Sequence, residues 1–249
     1  RMNLIGGSLA GQGNLISGNG FGSIQRYQTS TRQIGAPNQS IFPTDYTAVT
    51  SGDFNGDGLL DVAVTDRAGD GVQIFLADST GAFRQSATID TASLNGDPSA
   101  IVSADFNGDG FLDLILTEPG DSDIAILRGR GDGTFQSPTF LSTGAAVRPE
   151  RLSAAEFDGS PGLDLVILDS TNQVAQLMTN TGSSFAIGGN ISAGMNLPSD
   201  LASIDLLNDG GPRDFVVTNR GNNTVTLYRN NGSGGFSLSG TFSVGQGPS

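Results

Sequence analysis

Two nine-residue stretches, DFNGDGLLD at 53–61 and DFNGDGFLD at 105–113, agree at all but one position. They begin 52 residues apart, and the pattern continues: EFDGSPGLD opens at Glu156 and DLLNDGGPRD at Asp205, after steps of 51 and 49. Prolines keep the same count. Pro43, Pro98, Pro149, Pro198 and Pro248 are separated by 55, 51, 49 and 50 residues, and the first four each precede an acidic loop by seven to ten residues. A unit this short cannot bury its apolar face alone, so its copies must stack. Pro248 stands where a further unit would open, so the array is expected to extend beyond this stretch.

Within one unit the periodicity is that of strands. SAIVSADF (99–106) is a mostly apolar run, LDLILTE (112–118) is rich in branched aliphatics, and DSDIAILRG (121–129) follows a PGDS turn. GDGTFQSPTFLST (131–143) then supplies a glycine turn and a fourth extended segment. LDVAVTD, LDLVILD and RDFVVTN fill the second-strand slot of the other units, and GVQIFLAD, QVAQLMTN and NTVTLYRN the third. No segment sustains apolar spacings of three and four, so almost no helix is expected. Four short strands per unit, parted by Gly, Asp and Asn, are an all-β signature. Units of this length and strand number predict a β-propeller of four-stranded antiparallel blades, with a β-solenoid or sandwich as the structural alternatives. The blades are expected at about 44–97, 98–148, 149–197 and 198–247, with a partial blade over 21–43. Residues 1–20 read as a lead-in: NLIGGSLAGQGNLISGNG (3–20) is punctuated by Asn and Gly and resembles a coil of parallel β-helix repeats.

Composition removes several chemistries. The 249 residues include no Cys, His, Lys or Trp; the basic residues are 12 arginines, and only Glu118, Glu150 and Glu156 accompany the aspartates. That excludes a thiol nucleophile, an imidazole base, a Schiff-base lysine and a zinc site of nitrogen and sulfur ligands. A net charge of −13 opposes nucleic acid and suits a cationic partner, a divalent metal above all. No 18-residue apolar window exists, so this stretch contains no membrane span.

The acidic loops explain why like charges are set so close. Oxygen-bearing side chains at positions 1, 3, 5 and 9 of a nine-residue loop wrap one hard cation, with glycines at 4 and 6 making the turn and the carbonyl at 7 adding a ligand. Six to eight oxygens at about 2.3–2.6 Å suit Ca2+, whereas Mg2+ keeps more of its water. Without the ion, the carboxylates of one loop are expected to repel and fray it. An EF-hand is excluded: it needs Glu at position 12 and a following helix, and this chain has Val64 and Leu116 there, inside strands.

The DFNGDGxxD loops, the VAVT and LILT strands after them, and the downstream GAF and GTF resemble FG-GAP/VCBS repeats, the family of the integrin α-subunit propeller, over residues 21–249. The resemblance implies one blade per repeat and structural Ca2+ in the loop between its first two strands. It implies a first site of Asp53, Asn55, Asp57, the Leu59 carbonyl and Asp61, and a second of Asp105, Asn107, Asp109, the Phe111 carbonyl and Asp113. The third loop keeps oxygen at each position, in Glu156, Asp158, Ser160 and Asp164, but departs in Ser160 and Pro161. The fourth carries an extra residue. Either Asp205, Asp209 and Asp214 hold an ion, or Arg213 pairs within the loop instead.

Three roles follow as alternatives. One is a recognition or adhesion module at the cell surface or outside the cell, binding a protein or polysaccharide on the polar loops TDRAGDG, EPGDSD, DSTNQ and NRGNN, beside neighbouring repeats of a longer chain. A lectin is disfavoured by the scarcity of stacking rings, only Tyr27, Tyr46 and Tyr228 beside phenylalanine. The third is a polysaccharide-degrading enzyme or its accessory propeller, but the recognisable carboxylate pairs are already committed to the loops. Phe54, Phe106 and Phe157 follow the first ligand, and Phe83, Phe135, Phe185 and Phe236 close the third turn. Their recurrence reads as core between blades.

Overall fold

The computed structural model describes residues 46–67, 69, 71–91, 97–144, 147–207 and 210–248. The lead-in over 1–20, its β-helix resemblance, the partial blade over 21–43, and Asp209 lie outside the described residues. All regular structure among the described residues is strand. Blade 1 holds β1 (Tyr46–Gly52), β2 (Asp61–Asp66), β3 (Gly71–Ala77) and β4 (Phe83–Asp90). Blade 2 holds β5 (Ala100–Ala104), β6 (Asp113–Glu118), β7 (Asp123–Leu127) and β8 (Thr139–Ser142). Blade 3 holds β9 (Arg151–Ala155), β10 (Asp164–Asp169), β11 (Val174–Asn180) and β12 (Phe185–Ile191). Blade 4 holds β13 (Pro198–Ile204), β14 (Asp214–Asn219), β15 (Thr224–Asn230) and β16 (Phe236–Ser243). Each blade is one antiparallel sheet in simple sequence order. First strands lie side by side, β1 with β5, β5 with β9 and β9 with β13. This is the arrangement of propeller blades around an axis.

Burial explains the residue types. In blades 2 and 3 the second and third strands are sandwiched between neighbouring blades, and β6 (DLILTE) and β10 (DLVILD) are buried at every position. Such strands must be apolar on both faces, hence the unbroken aliphatic runs. The fourth strands are outer edges, and β12 is exposed at five consecutive positions. The core falls into three seams. Ala63 and Ile74 of blade 1 meet Leu114, Leu116 and Leu127 of blade 2. Ile115, Ile124 and Ile126 meet Leu165, Ile167 and Met178. Val166, Leu168 and Leu177 meet Phe215, Val217 and Tyr228. Each fully buried aliphatic side chain contributes about 1.5–3 kcal/mol.

One device closes all three seams. The Phe after the first loop residue sets its ring edge-on against the Phe that opens the fourth segment of the next blade: Phe54 on Phe135 at 5.7 Å, Phe106 on Phe185 at 5.9 Å, Phe157 on Phe236 at 5.7 Å. Such pairs contribute about 0.5–1.5 kcal/mol beyond burial. The same residues' carbonyls accept hydrogen bonds across the seam, from Gly133 N–H to Phe54 (2.8 Å), from Asn180 Nδ2 to Phe106 (2.8 Å) and from Asn230 Nδ2 to Phe157 (2.7 Å).

Phe106 is 4% exposed, so Phe106→Ala is expected to cost about 3–5 kcal/mol by transfer and cavity terms together. Urea unfolding followed by circular dichroism checks this. A loss below about 1 kcal/mol would mean that the ring does not hold the seam.

Candidate metal-binding loops

Each acidic loop joins the first and second strands of its blade, so all four sit at the same end of the blades. The turns between second and third strands sit at the other end. Both glycines of the first two loops are left-handed, Gly56 and Gly58 at φ 75 and 82°, Gly108 and Gly110 at 78 and 88°. A side chain there would cost about 1–2 kcal/mol. In the third loop proline occupies position 6 and cannot take positive φ. The second left-handed glycine is displaced by one place, to Gly162 at φ 116°.

The closing aspartate begins a strand in every copy: Asp61, Asp113, Asp164 and Asp214 are 0, 0, 1 and 5% exposed. Each carboxylate spans at least two backbone N–H groups, and Asp164 also accepts a third, from Asp158. Asp61 accepts from Phe54 (2.9 Å) on one oxygen and from Ala77, at the end of β3, on the other (2.8 Å). Asp113 accepts from Phe106 (3.3 Å) and Gly129 (2.9 Å), Asp164 from Phe157 (2.8 Å) and Asn180 (2.8 Å), and Asp214 from Leu206 (3.1 Å) and Asn230 (2.7 Å). The group therefore ties the loop to the far end of the third strand. Sequence reasoning treated it only as a candidate ligand. The available signal was that it alone among the loop positions is Asp in all four copies. Burial pushes the Asp61, Asp113 and Asp164 carboxyls above the ordinary carboxylate range, with the N–H donors opposing. The neighbouring Asp57 and Asp53, Asp109, and Asp158 respectively add to the rise. A cation would relieve that cost.

The first two loops share one hydrogen-bond pattern. Asp53 accepts from the N–H groups of Gly56 (2.8 Å), Asp57 (3.1 Å) and Gly58 (2.8 Å). Asp105 accepts from Gly108 (2.7 Å), Asp109 (3.2 Å) and Gly110 (2.9 Å). Asn55 and Asn107 accept from the N–H of the residue two places on, and Asp57 and Asp109 accept from those of Leu59 and Phe111 (2.8 and 2.9 Å). In both loops backbone donors offset the repulsion between the neighbouring carboxylates. Phe111, 45% exposed, lays its ring against Gly131 in the next hairpin of its own blade.

The third loop differs. One carboxylate oxygen from each of Glu156, Asp158 and Asp164 lies within 4.8 Å of the others. Oxygens bound to one Ca2+ at about 2.3–2.6 Å stand at most about 5 Å apart, so this trio fits a single ion. Glu156 accepts the Gly159 N–H, and Asp158 accepts that of Ser160 at 2.7 Å. In the fourth loop Arg213 Nη1 lies 3.0 Å from Asp205 Oδ2, which the Gly210 N–H also approaches at 3.2 Å. The Arg213 N–H donates to the Glu156 carbonyl at 2.7 Å, binding the fourth loop to the third.

Asp113→Ala would leave two buried N–H groups without an acceptor, at about 1–3 kcal/mol each. Asp205→Ala removes a partly exposed pair and should cost under about 1 kcal/mol. Thermal melts of both variants check the contrast; equal losses would refute the clamp.

A family profile described as FG-GAP-like repeat matches residues 53–116 and 105–167, its two matches opening on the first residues of the first two loops. No curated protein matches the chain in sequence. The fold is similar to three solved structures. They are a protein from Lactobacillus plantarum (TM-score 0.56, 17% identity, 74% of this chain and 54% of that one), BBS1N in complex with ARL6DN (0.53, 12%, 88% and 57%) and virginiamycin B lyase from Staphylococcus aureus (0.50, 13%, 79% and 54%). The chain thus spans a little over half the length of each, and at these identities the likeness bears on fold alone. Built of four sequential four-stranded blades, the chain is a repeat β-propeller that carries FG-GAP-like repeats at 53–116 and 105–167.

Proposed function

We propose that this propeller is a non-catalytic recognition module, outside the cell or on its surface, whose acidic loops are stapled by structural Ca2+. The observation that carries the reading is the convergence of Glu156, Asp158 and Asp164 on a space that fits one hard ion. The first two loops carry a fuller oxygen set on the same backbone. For them binding is an exchange, in which the ion replaces N–H donors around Asp53 and Asp105. The fourth loop, with Arg213 on Asp205, fills last or not at all.

Extracellular modules bind Ca2+ at about 10⁻⁴–10⁻³ M, a range in which cytosolic calcium leaves them empty. That supports the extracellular setting. No helix of the described residues is long and apolar enough to cross a membrane. Recognition is assigned to the end opposite the acidic loops. There Arg67, Asp121, Asp123, Arg148 and Arg220 surround the turns after the second strands, with Arg67 3.6 Å from Asp97. Rigid blades holding short polar turns suit a polar protein or polysaccharide partner. The non-catalytic reading rests on the commitment of the loop carboxylates to backbone donors and on a composition without His, Cys or Lys.

At a tenfold excess of Ca2+ over its dissociation constant, each filled site adds about 1.4 kcal/mol, or about 3–6 °C for a chain of this size. A thermal melt in EDTA, then across Ca2+ and Mg2+ titrations, should show a calcium-specific rise. Asp158→Ala should remove the third site's share, and Asp57→Ala and Asp109→Ala those of the first two. An equal response to Mg2+, or none to either ion, would sink the proposal.

A further inference from the structure

We propose that the seam between blades 3 and 4 is a joint, held at the acidic-loop end and free to open at the opposite end, where the polar turns lie. Neither calcium nor a bound partner is needed for this. In blades 1, 2 and 4 a hydroxyl at the start of the first strand meets a threonine hydroxyl of the second: Thr47 with Thr65 (2.7 Å), Ser99 with Thr117 (3.0 Å) and Ser199 with Thr218 (2.9 Å). Thr65 and Thr117 are fully buried. In blades 1 and 2 the same first-strand hydroxyl also donates across the seam, Thr47 Oγ1 to the Pro98 carbonyl (2.5 Å) and Ser99 Oγ to that of Glu150 (2.8 Å). The first two seams are thus latched at the end away from the acidic loops. Blade 3 has neither hydroxyl. Its Leu168 pairs with Arg151 as Thr117 pairs with Ala100, and the Glu150 N–H donates to the Leu168 carbonyl as the Ser99 N–H does to that of Thr117. Leu168 and Glu150 therefore stand in the places of Thr117 and Ser99. An ionised carboxylate only accepts, so Glu150 cannot donate to a carbonyl of blade 4; its Oε1 instead accepts from Thr171 Oγ1 at 3.1 Å.

Two further observations fall at the same place. Arg151 shares with Leu168 the face of blade 3 that meets blade 4. Its Nη1 turns back to the Glu150 carbonyl at 2.8 Å, and its Nε is buried with no acceptor among the described residues, an uncommon cost for a closed seam. Leu197, immediately before β13, is left-handed at φ 46°. The other non-glycine residues in that region, Ser122, Gln173 and Asn223, are polar and lie in turns between second and third strands. A bulky side chain there is strained and persists only while its surroundings hold it. The Leu197 N–H reaches blade 3 through a long bond, 3.3 Å to Gln173 Oε1. The loop end of the same seam is firmly tied. The Arg213 N–H donates to the Glu156 carbonyl, Asn230 Nδ2 donates to that of Phe157 at 2.7 Å, and Phe157 packs on Phe236. Midway, the Ser203 N–H donates to Ser153 Oγ at 3.1 Å. These contacts form the pivot, and the unlatched end is the part that moves.

The chain has no Cys, so spin labels can be attached at chosen pairs and their separations read by double electron–electron resonance. Ser170→Cys with Arg220→Cys, at the residues that follow β10 and β14, spans the unlatched end of the third seam. Pro119→Cys with Ser170→Cys spans the matching, latched end of the second. Ser160→Cys with Ser233→Cys spans the loop end of the third. The first pair should give a distance distribution about twice as wide as either of the others, as local opening requires. Removing the second seam's latch with Ser99→Ala and Thr117→Val, which keeps the shape of the threonine, should widen the Pro119–Ser170 distribution to match. Circular dichroism checks that each labelled chain keeps its strands. Equal widths across the second and third seams would overturn the proposal, as would a second seam that stays narrow after its latch is removed. A loop end as broad as the unlatched end would also overturn it, because blade 4 would then be loose as a whole and not hinged.

Discussion

A β-sheet with aliphatic side chains on both faces has to be covered twice, and no blade of this chain can do so by itself. The middle strands carry the whole demand: Leu114, Ile115 and Leu116 follow one another in β6, and all three are fully buried. Leu114 and Leu116 lie in the seam with blade 1, and Ile115 lies in the seam with blade 3. Alternation along a strand thus becomes alternation between neighbours, and stability is shared between adjacent units in the manner of repeat proteins. Polar residues cluster where no neighbour is needed, on the fourth strands and in the turns.

The acidic loops belong to this same system of contacts. Phe106 follows the first acidic residue of its loop, its N–H is held by the closing Asp113, its ring meets Phe185 and its carbonyl accepts from Asn180. One residue therefore connects the ion-binding candidate, the third strand of its own blade and the start of the next seam. Whatever fixes the loop, a cation or the backbone donors around Asp105, also fixes the angle at which the next blade sits. Placing charge at the ends of the seams has a physical reason: only there can carboxylates reach water or an ion while their neighbours remain in the core. The price is seen in the buried closing aspartates, whose carboxyls are pushed up by burial even while they accept two or three hydrogen bonds.

The loops also show how one backbone accepts different chemistry. The first three loops all bring side chains onto backbone N–H groups, loop three also brings three carboxylates together, and loop four brings a guanidinium onto its first aspartate. The shared element is the closing aspartate clamp. The variable element is the middle of the loop, where Pro161 and Arg213 change which donors are available.

Much of this architecture was legible in the order of residues, because a repeat of about fifty with four apolar runs admits few ways of burying them. The strand slots, the phenylalanine positions and the oxygen-rich loops are all local or periodic properties, and periodicity survives in one dimension. The double role of Asp61, Asp113, Asp164 and Asp214 was not legible, since the second N–H each accepts comes from 16 residues downstream, and only the pairing of second and third strands brings it near. Nor could spacing reveal that the third loop brings three carboxylates within reach of one another. Sequence by itself determined the unit, its strands and the oxygen-bearing side chains its loops offer. Tertiary structure alone decided which carboxylates converge and which residues meet across a seam, because those depend on distances set within and between blades.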